Sequence, residues 1–308
     1  MEPLEAAVLR TILYADIFNF PLTPREVHHF LIAPQAVTPA QVEHALASLS
    51  ERDILNFSGG FVMLAGRSEL AGIRQRREAA ATALWPKAVL YGRWLGRLPF
   101  VRMVAITGAL AMRNPSDADD DLDYFLVTAH GRVWLARLCA IAVVRLSKLR
   151  GVVVCPNFVL AETALVQSRR DLFIAHEVTQ MVPVVGRNLY DLLRRSHLWV
   201  VNLLPNAEDA FYLENDDAPR GIWNLLKTLT ERALGGAIGD RLEAWEFRRK
   251  VHRFSPKMHI PDSAAQLDEN QVKGHFNDHG HPVLRRYQEL LDQYGLSDPN
   301  TALPLAGD

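Results

Sequence analysis

Two carboxylates spaced i and i+2, Asp121 and Asp123, lead straight into the apolar run Tyr124-Phe125-Leu126-Val127. Alternate residues of a β-strand share a face. The spacing therefore predicts that Asp121 and Asp123 converge on one point while Leu122 and Tyr124 turn the other way. The neighbouring Asp117, Asp119 and Asp120 allow a plainer reading, an acidic loop entering a strand. Asp123 tips the balance, because an unpaired carboxylate inside a buried strand is costly. Two hard carboxylates side by side suit a Mg²⁺ ion carrying a nucleoside triphosphate. A second ion bridged by the same pair would complete a two-metal clamp.

The surrounding pattern is strand, turn, strand, helix, strand. Val101 to Ile106 is the first predicted strand, and Gly108 to about Arg113 a short helix whose N–H groups are available to phosphate. Leu122 to Thr128 is the second strand. Trp134 to Leu149 is an amphipathic helix, with Arg137, Arg145 and Lys148 outward. Val152 to Leu160 is the third strand, where Pro156 predicts an edge or a bulge. These elements make a small mixed α/β sheet.

The two separated halves resemble the signature of the DNA polymerase β-like nucleotidyltransferase superfamily. That signature is an apolar residue, Gly, then Gly or Ser, a gap, and Asp-apolar-Asp/Glu-apolar. Ile106-Thr107-Gly108-Ala109 supplies the first half and Asp121-Leu122-Asp123-Tyr124 the second. The resemblance implies transfer of a nucleoside monophosphate from an NTP to an acceptor hydroxyl. It implies Mg²⁺ or Mn²⁺ held by Asp121 and Asp123, and a nucleotide cradle at Thr107, Gly108 and Ala109. Ala109 stands where the family usually carries Ser or Gly. Active members also carry a third carboxylate on a later strand. Here that strand offers Asn157, with Glu162 just beyond it. The implied catalytic set is Asp121, Asp123 and Asn157, with Glu162 as the alternative to Asn157.

Upstream, residues 1–66 read as a winged-helix-like domain. Leu4, Val8, Ile12 and Leu13 follow helical spacing. Thr23-Pro24-Arg25-Glu26 is a capping box with Pro at the first helical position, and Thr38-Pro39-Ala40-Gln41 repeats the start signal. Ile54 to Phe57 and Phe61 to Leu64 flank Ser58-Gly59-Gly60, a hairpin. A third helix that reads DNA needs Arg, Lys, Asn or Gln facing the bases. From Gln41 to Asp53 the charges are instead net acidic. Packing or protein docking is the expected role. Residues 67–100 form a helical connector whose Arg74, Arg76 and Arg77 read as a solvated basic face, or alternatively as reaching a triphosphate. Trp85, Tyr91 and Trp94 read as packing residues. Residues 101–170 are the nucleotidyltransferase core, 171–296 a helical domain and 297–308 a frayed tail. The fold class is thus α/β (α+β), a small mixed-sheet core between a winged helix and a C-terminal helical domain.

Composition excludes several classes. The net charge of −1 gives no global basic field for nucleic acid. The only cysteines, Cys139 and Cys155, lack metal-site spacing and read as reduced core residues. The apolar stretch Val133 to Val144 contains Arg137 and is too short to span a bilayer. Glu2 and Glu5 sit where a signal peptide would be basic, so a cytoplasmic location without membrane partners is expected. His176-Glu177 is not a zinc-protease motif, because Gln180 follows four residues after His176. His275, His279 and His281, near Lys273, read as a surface loop; a substrate-contacting loop and a Zn²⁺ site are the alternatives. Three functions remain: a metal-dependent nucleotidyltransferase with an unidentified acceptor, a catalytically degenerate module that binds a protein partner through its winged helix, and a winged-helix DNA regulator. The acidic third helix disfavours the last.

Overall fold

The computed structural model describes residues 1–167, 169–258, 266–273 and 280–297. The N-terminal part folds as α1 (Pro3–Asp16), α2 (Pro24–His29), α3 (Pro39–Glu51), β1 (Leu55–Ser58) and β2 (Phe61–Leu64). Capping chemistry sets two of the helix starts as expected. Thr23 Oγ1 accepts from the Glu26 amide at 3.2 Å, and Glu26 Oε2 accepts from the Thr23 amide at 2.8 Å. Thr38 and Gln41 repeat the exchange. Proline opens each helix, where its missing N–H costs no intrahelical bond. β1 and β2 form an antiparallel hairpin, and Leu22 bridges Val62 beside it. Val42, Ala45, Leu46 and Leu49 bury one face of α3.

The long α4 (Glu69–Gly96) joins this unit to the main sheet. Arg74 departs from both sequence readings, since it is only 1% exposed. Its Nη2 donates to Glu26 Oε1 at 2.8 Å, its Nε to Glu78 at 2.9 Å and its Nη1 to the Pro21 carbonyl at 3.0 Å. Its guanidinium lies 3.8 Å from the Phe20 ring centroid. Arg77 Nη1 donates to the Phe18 and Asn19 carbonyls and to Asn114 Oδ1. Only Arg76 of the three is exposed. A basic cluster on a helix became a clamp because α1 and α2 bring a carboxylate and free carbonyls against it.

The main sheet is built from β3 (Val101–Ile106), β4 (Leu122–Thr128), β5 (Val154–Ala161), β6 (Val182–Val185), β7 (Gln266–Leu267) and β8 (Gln271–Lys273), in the order β6-β3-β4-β5-β8-β7. The short α5 (Gly108–Ala111) follows β3, and α6 (Val133–Lys148) crosses from β4 to β5. β4 and β5 are parallel and the other pairs antiparallel. α7 (Leu172–Gln180) and α8 (Arg187–Ser196) flank β6 in sequence. α9 (Gly221–Leu234), α10 (Ala237–Met258) and α11 (Gly280–Gln293) complete the chain. The protein is therefore mixed α/β, with this sheet and a small antiparallel hairpin. Among the described residues no helix is long and apolar enough to cross a membrane.

Strand alternation divides the core in two. Leu122, Tyr124 and Leu126 pack with α4 and α6, whereas Phe125 and Val127 pack with α7, α8 and the N-terminal helices. Asp123 shares the second face by the same period. On the first face α4 comes close to β6: a Cβ on Gly92 would lie 2.7 Å from Val184 Cγ2.

Three sequence expectations change here. Val182–Val185 is a strand inside a region read as helical. Pro183 stops α7, and the β-branched run that contains it closes one edge of the sheet, where proline is tolerated. Inside the predicted helical domain, Leu189 to Leu204 carries the apolar spacing of one continuous helix, but the helix ends at Ser196 and the chain continues as a 3-10 turn, Leu198–Asn202. Pro156 does mark a bulge, because Tyr124 pairs Pro156 and Phe125 pairs Phe158, leaving Asn157 as the extra residue. β5 is not an edge strand throughout, since β8 pairs with it over Phe158 to Leu160. Pro156 lies below that pairing, so its missing N–H breaks no ladder bond to β8.

Candidate functional site

The site forms where β3 ends, α5 begins and β4 starts. Gly108 has φ +66°, a left-handed backbone that favours glycine. Space alone also demands glycine: a Cβ there would stand 2.5 Å from Asp123 Oδ2. The Thr107 amide donates to the Asp123 carbonyl at 3.0 Å, which fixes the turn against the strand. Gly108 and Ala109 are exposed and Thr107 is half-buried. Arg77 braces the far side of the turn through Asn114, whose own amide donates to the Ala109 carbonyl at 2.8 Å.

Asp123 is held from one side only. Asn157 Nδ2 donates to Asp123 Oδ1 in a short hydrogen bond. The bulge that makes Asn157 the extra residue of β5 is what brings its side chain there. Oδ2 faces Gly108. Burial first, then the charge of Asp121, pushes the Asp123 carboxyl up to about 7, against the opposing pull of Asn157. Asp121 is exposed at the mouth of the site, and Cys155 Sγ donates to its Oδ2 at 3.7 Å. Burial and the two aspartates push the Cys155 thiol up to about 12, so it remains a neutral donor. Cys155 is thus a half-buried member of the site and not a core residue.

The sequence-derived residues Thr107, Gly108, Ala109, Asp121, Asp123 and Asn157 accordingly come together. Glu162 does not. It follows the far end of β5, where its amide donates to the Thr128 carbonyl. Thr128 lies five positions along β4 from Asp123, about 16 Å at strand rise. Lys273 does approach the site, lying at the end of β8 opposite Phe158, with its Nζ 5.9 Å from that ring. His275 and His279 fall outside the described residues, as does the tail beyond Ser297. Among the described residues no group of three or more His, Cys, Asp or Glu side chains is arranged to hold a metal ion.

Sequence reasoning missed Glu177. Its charge acts on Asp123, and Lys273 acts on it in turn. Burial raises the Glu177 carboxyl, with Lys273 opposing. Phe173, His176, Glu177 and Gln180 form one i, i+3, i+4, i+7 face of α7 and line a cavity of about 470 Å³ that also reaches Gly108 and Ala109. The available signal was a carboxylate set within the apolar segment Leu172 to Val178. No family model, no curated protein and no solved structure matches the chain.

Proposed function

We propose that this protein is a metal-dependent nucleotidyltransferase of the DNA polymerase β-like kind, with a winged-helix-like N-terminal domain. The observation that carries the reading is the contact of Gly108 with Asp123, which sets a bare, left-handed backbone turn directly against a carboxylate oxygen. A side chain at that turn would block the approach of a phosphate. Mg²⁺ fits the residues present, because it binds through one or two carboxylates and fills its remaining positions with phosphate oxygens and water. The mutual repulsion of Asp121 and Asp123, part of what raises Asp123, is what a cation held by the pair would relieve. Such an ion supplies charge neutralisation to the transferring phosphoryl group.

The chain's own residues do the rest. The exposed backbone N–H groups of Gly108 and Ala109 orient the triphosphate, with the Thr107 amide fixing the turn to β4, and Asn157 holds Asp123 in place. The acceptor hydroxyl oxygen bonds the α-phosphorus. The bond from that phosphorus to the bridging oxygen breaks, and its electron pair leaves with pyrophosphate. The hydroxyl proton passes to the Glu177 carboxylate, which burial makes more basic than an ordinary glutamate. Ala109 and the amide of Asn157 support the rival reading, a degenerate binding module. Glu177 weighs against it by supplying a further carboxylate from α7.

Calorimetry with ATP, CTP, GTP and UTP tests the proposal. At least one is expected to bind at least tenfold more tightly with Mg²⁺ than in EDTA, because the two aspartates otherwise repel the phosphates. Equal affinity in EDTA would remove the metal site from the account.

The winged-helix-like unit is not expected to read DNA. α3 exposes Gln41, Glu43 and His44, and Arg52 just beyond it is bound to Glu5 at 2.9 Å. Non-specific affinity needs clustered cations at phosphates. In a low-salt gel-shift titration the whole chain should leave duplex DNA unshifted at micromolar protein. Submicromolar binding that collapses as salt rises would promote the regulator reading.

A further inference from the structure

The cavity beside Gly108 is walled by two matching helix faces. α1 and the residues just after it contribute Thr11, Tyr14, Ala15 and Phe18, and α7 contributes Phe173, His176, Glu177 and Gln180. Each set follows i, i+3, i+4, i+7. At about 470 Å³ the cavity lies in the range of small-molecule sites. Among the described residues no Lys or Arg lines it, so its described walls offer no cation to a phosphate chain.

Two buried polar side chains face into this apolar space with unused capacity. His176 is 4% exposed and Tyr14 is 3% exposed. The His176 Nδ1 lies 3.0 Å from the Leu172 carbonyl, a contact that requires the proton on Nδ1 and leaves Nε2 as an acceptor. Its ring stacks on Tyr14 with centroids 4.1 Å apart and lies 22° from the plane of Phe30. Neither Nε2 of His176 nor the Tyr14 hydroxyl has a hydrogen-bond partner among the described residues.

We infer that this cavity binds the acceptor of the transfer, a small uncharged molecule with a planar apolar body and a hydroxyl, seated between α1 and α7. The role as acceptor rests on the transferase reading; the binding site does not. The two substrates must meet at Asp121 and Asp123. The triphosphate needs the exposed, charged side of the turn, so the cavity, which has no cation among its described lining residues, takes the neutral partner. Gly108 and Ala109 at one end, with Glu177 beside them, place a ligand hydroxyl next to the phosphate turn. The free Tyr14 hydroxyl and His176 Nε2 add a polar requirement to an otherwise greasy pocket.

The probe is 2-naphthol, titrated into the full chain by its own fluorescence and by calorimetry, with and without Mg²⁺ and ATP. The unaltered protein should bind 2-naphthol at least tenfold more tightly than naphthalene. Tyr14→Phe should weaken 2-naphthol and leave naphthalene unchanged. Val283→Trp, which fills the cavity from α11, should weaken both at least tenfold. Should that variant not fold, the 2-naphthol to naphthalene ratio on the unaltered chain decides. Equal binding of the two probes, no binding of either, or displacement of 2-naphthol by Mg²⁺-ATP would each overturn the inference, the last by giving the cavity to the nucleobase. Nucleotide binding without 2-naphthol binding removes this inference and spares the transferase reading. The reverse pattern spares the cavity and removes the transferase.

Discussion

Asp123→Asn is expected to lower nucleotidyl transfer about a thousandfold while making the folded chain more stable at pH 8. Loss of one carboxylate of the pair removes several kcal/mol of phosphoryl charge stabilisation, and each tenfold in rate is about 1.4 kcal/mol. The stability effect has the opposite sign for a reason visible in the site. The Asp123 carboxyl is raised from 3.8 to about 7 by burial and by Asp121. Between those values the folded chain holds a proton that the unfolded chain has released. Stability from this group is therefore complete below pH 4 and is lost as pH rises through about 7. Asparagine carries no such dependence and can still accept the bond from Asn157. The gain at pH 8 has a ceiling of about 4 kcal/mol, reduced by solvent at the rim of the site. His29 and His176, both lowered to about 4 by burial, act in the opposite sense, since they destabilise the fold as pH falls from 6.5 towards 4. They are present in both proteins, so the difference between wild type and variant isolates Asp123. Denaturant titrations at pH 5 and pH 8 should show a gap that opens with rising pH. A gap that widens towards low pH, or full activity in the variant, would assign the chemistry elsewhere.

The legible half of this site lies within one stretch of chain. Gly108, Asp121 and Asp123 sit on adjoining elements, and a period of two with a glycine turn is enough to bring them together. Asn157 was within reach because β5 follows a single crossover, and Pro156 advertised the bulge. Glu177 was not legible as a member, and Lys273 entered only through the alternative of a substrate-contacting loop. α7 looks like any amphipathic helix, and only its packing against the Asp123 face makes Glu177 a neighbour of the aspartates. β8 spans Gln271–Lys273, too short for a period to register. β6 was misread for a related reason: four apolar residues with a proline fit a helix terminus as well as an edge strand. The N-terminal helices announced themselves through capping boxes, which are local exchanges between residues three apart. Tertiary partners leave no such trace. Glu26 was recognisable as a capping residue, and that use occupies only one of its two oxygens.

The other oxygen of Glu26 makes Arg74→Ala the most destabilising single change expected in this chain. Glu26 and Arg74 are each 1% exposed. Removal of the guanidinium strands a buried carboxylate, which costs about 3–5 kcal/mol. The Pro21 carbonyl and the Phe20 ring lose their partner too. The Tyr212 hydroxyl still donates to Glu26 Oε1 at 3.2 Å, but one neutral donor does not replace a charge. The thermal midpoint should fall by about 8 °C or more. Arg74→Met combined with Glu26→Gln should be milder than Arg74→Ala alone, because the double change leaves no unpaired charge. Consequences should extend to the site. The same helix carries Arg77, which ties the Phe18 carbonyl to Asn114 beside the Gly108 turn. An α4 that docks poorly loosens the wall that Phe18 and Phe20 give the cavity. Arg74→Ala should thus weaken 2-naphthol binding at temperatures where the chain is still folded. Scanning calorimetry decides the first part: a midpoint within about 1 °C of wild type would show that the buried pair is not what fastens the N-terminal unit to the sheet.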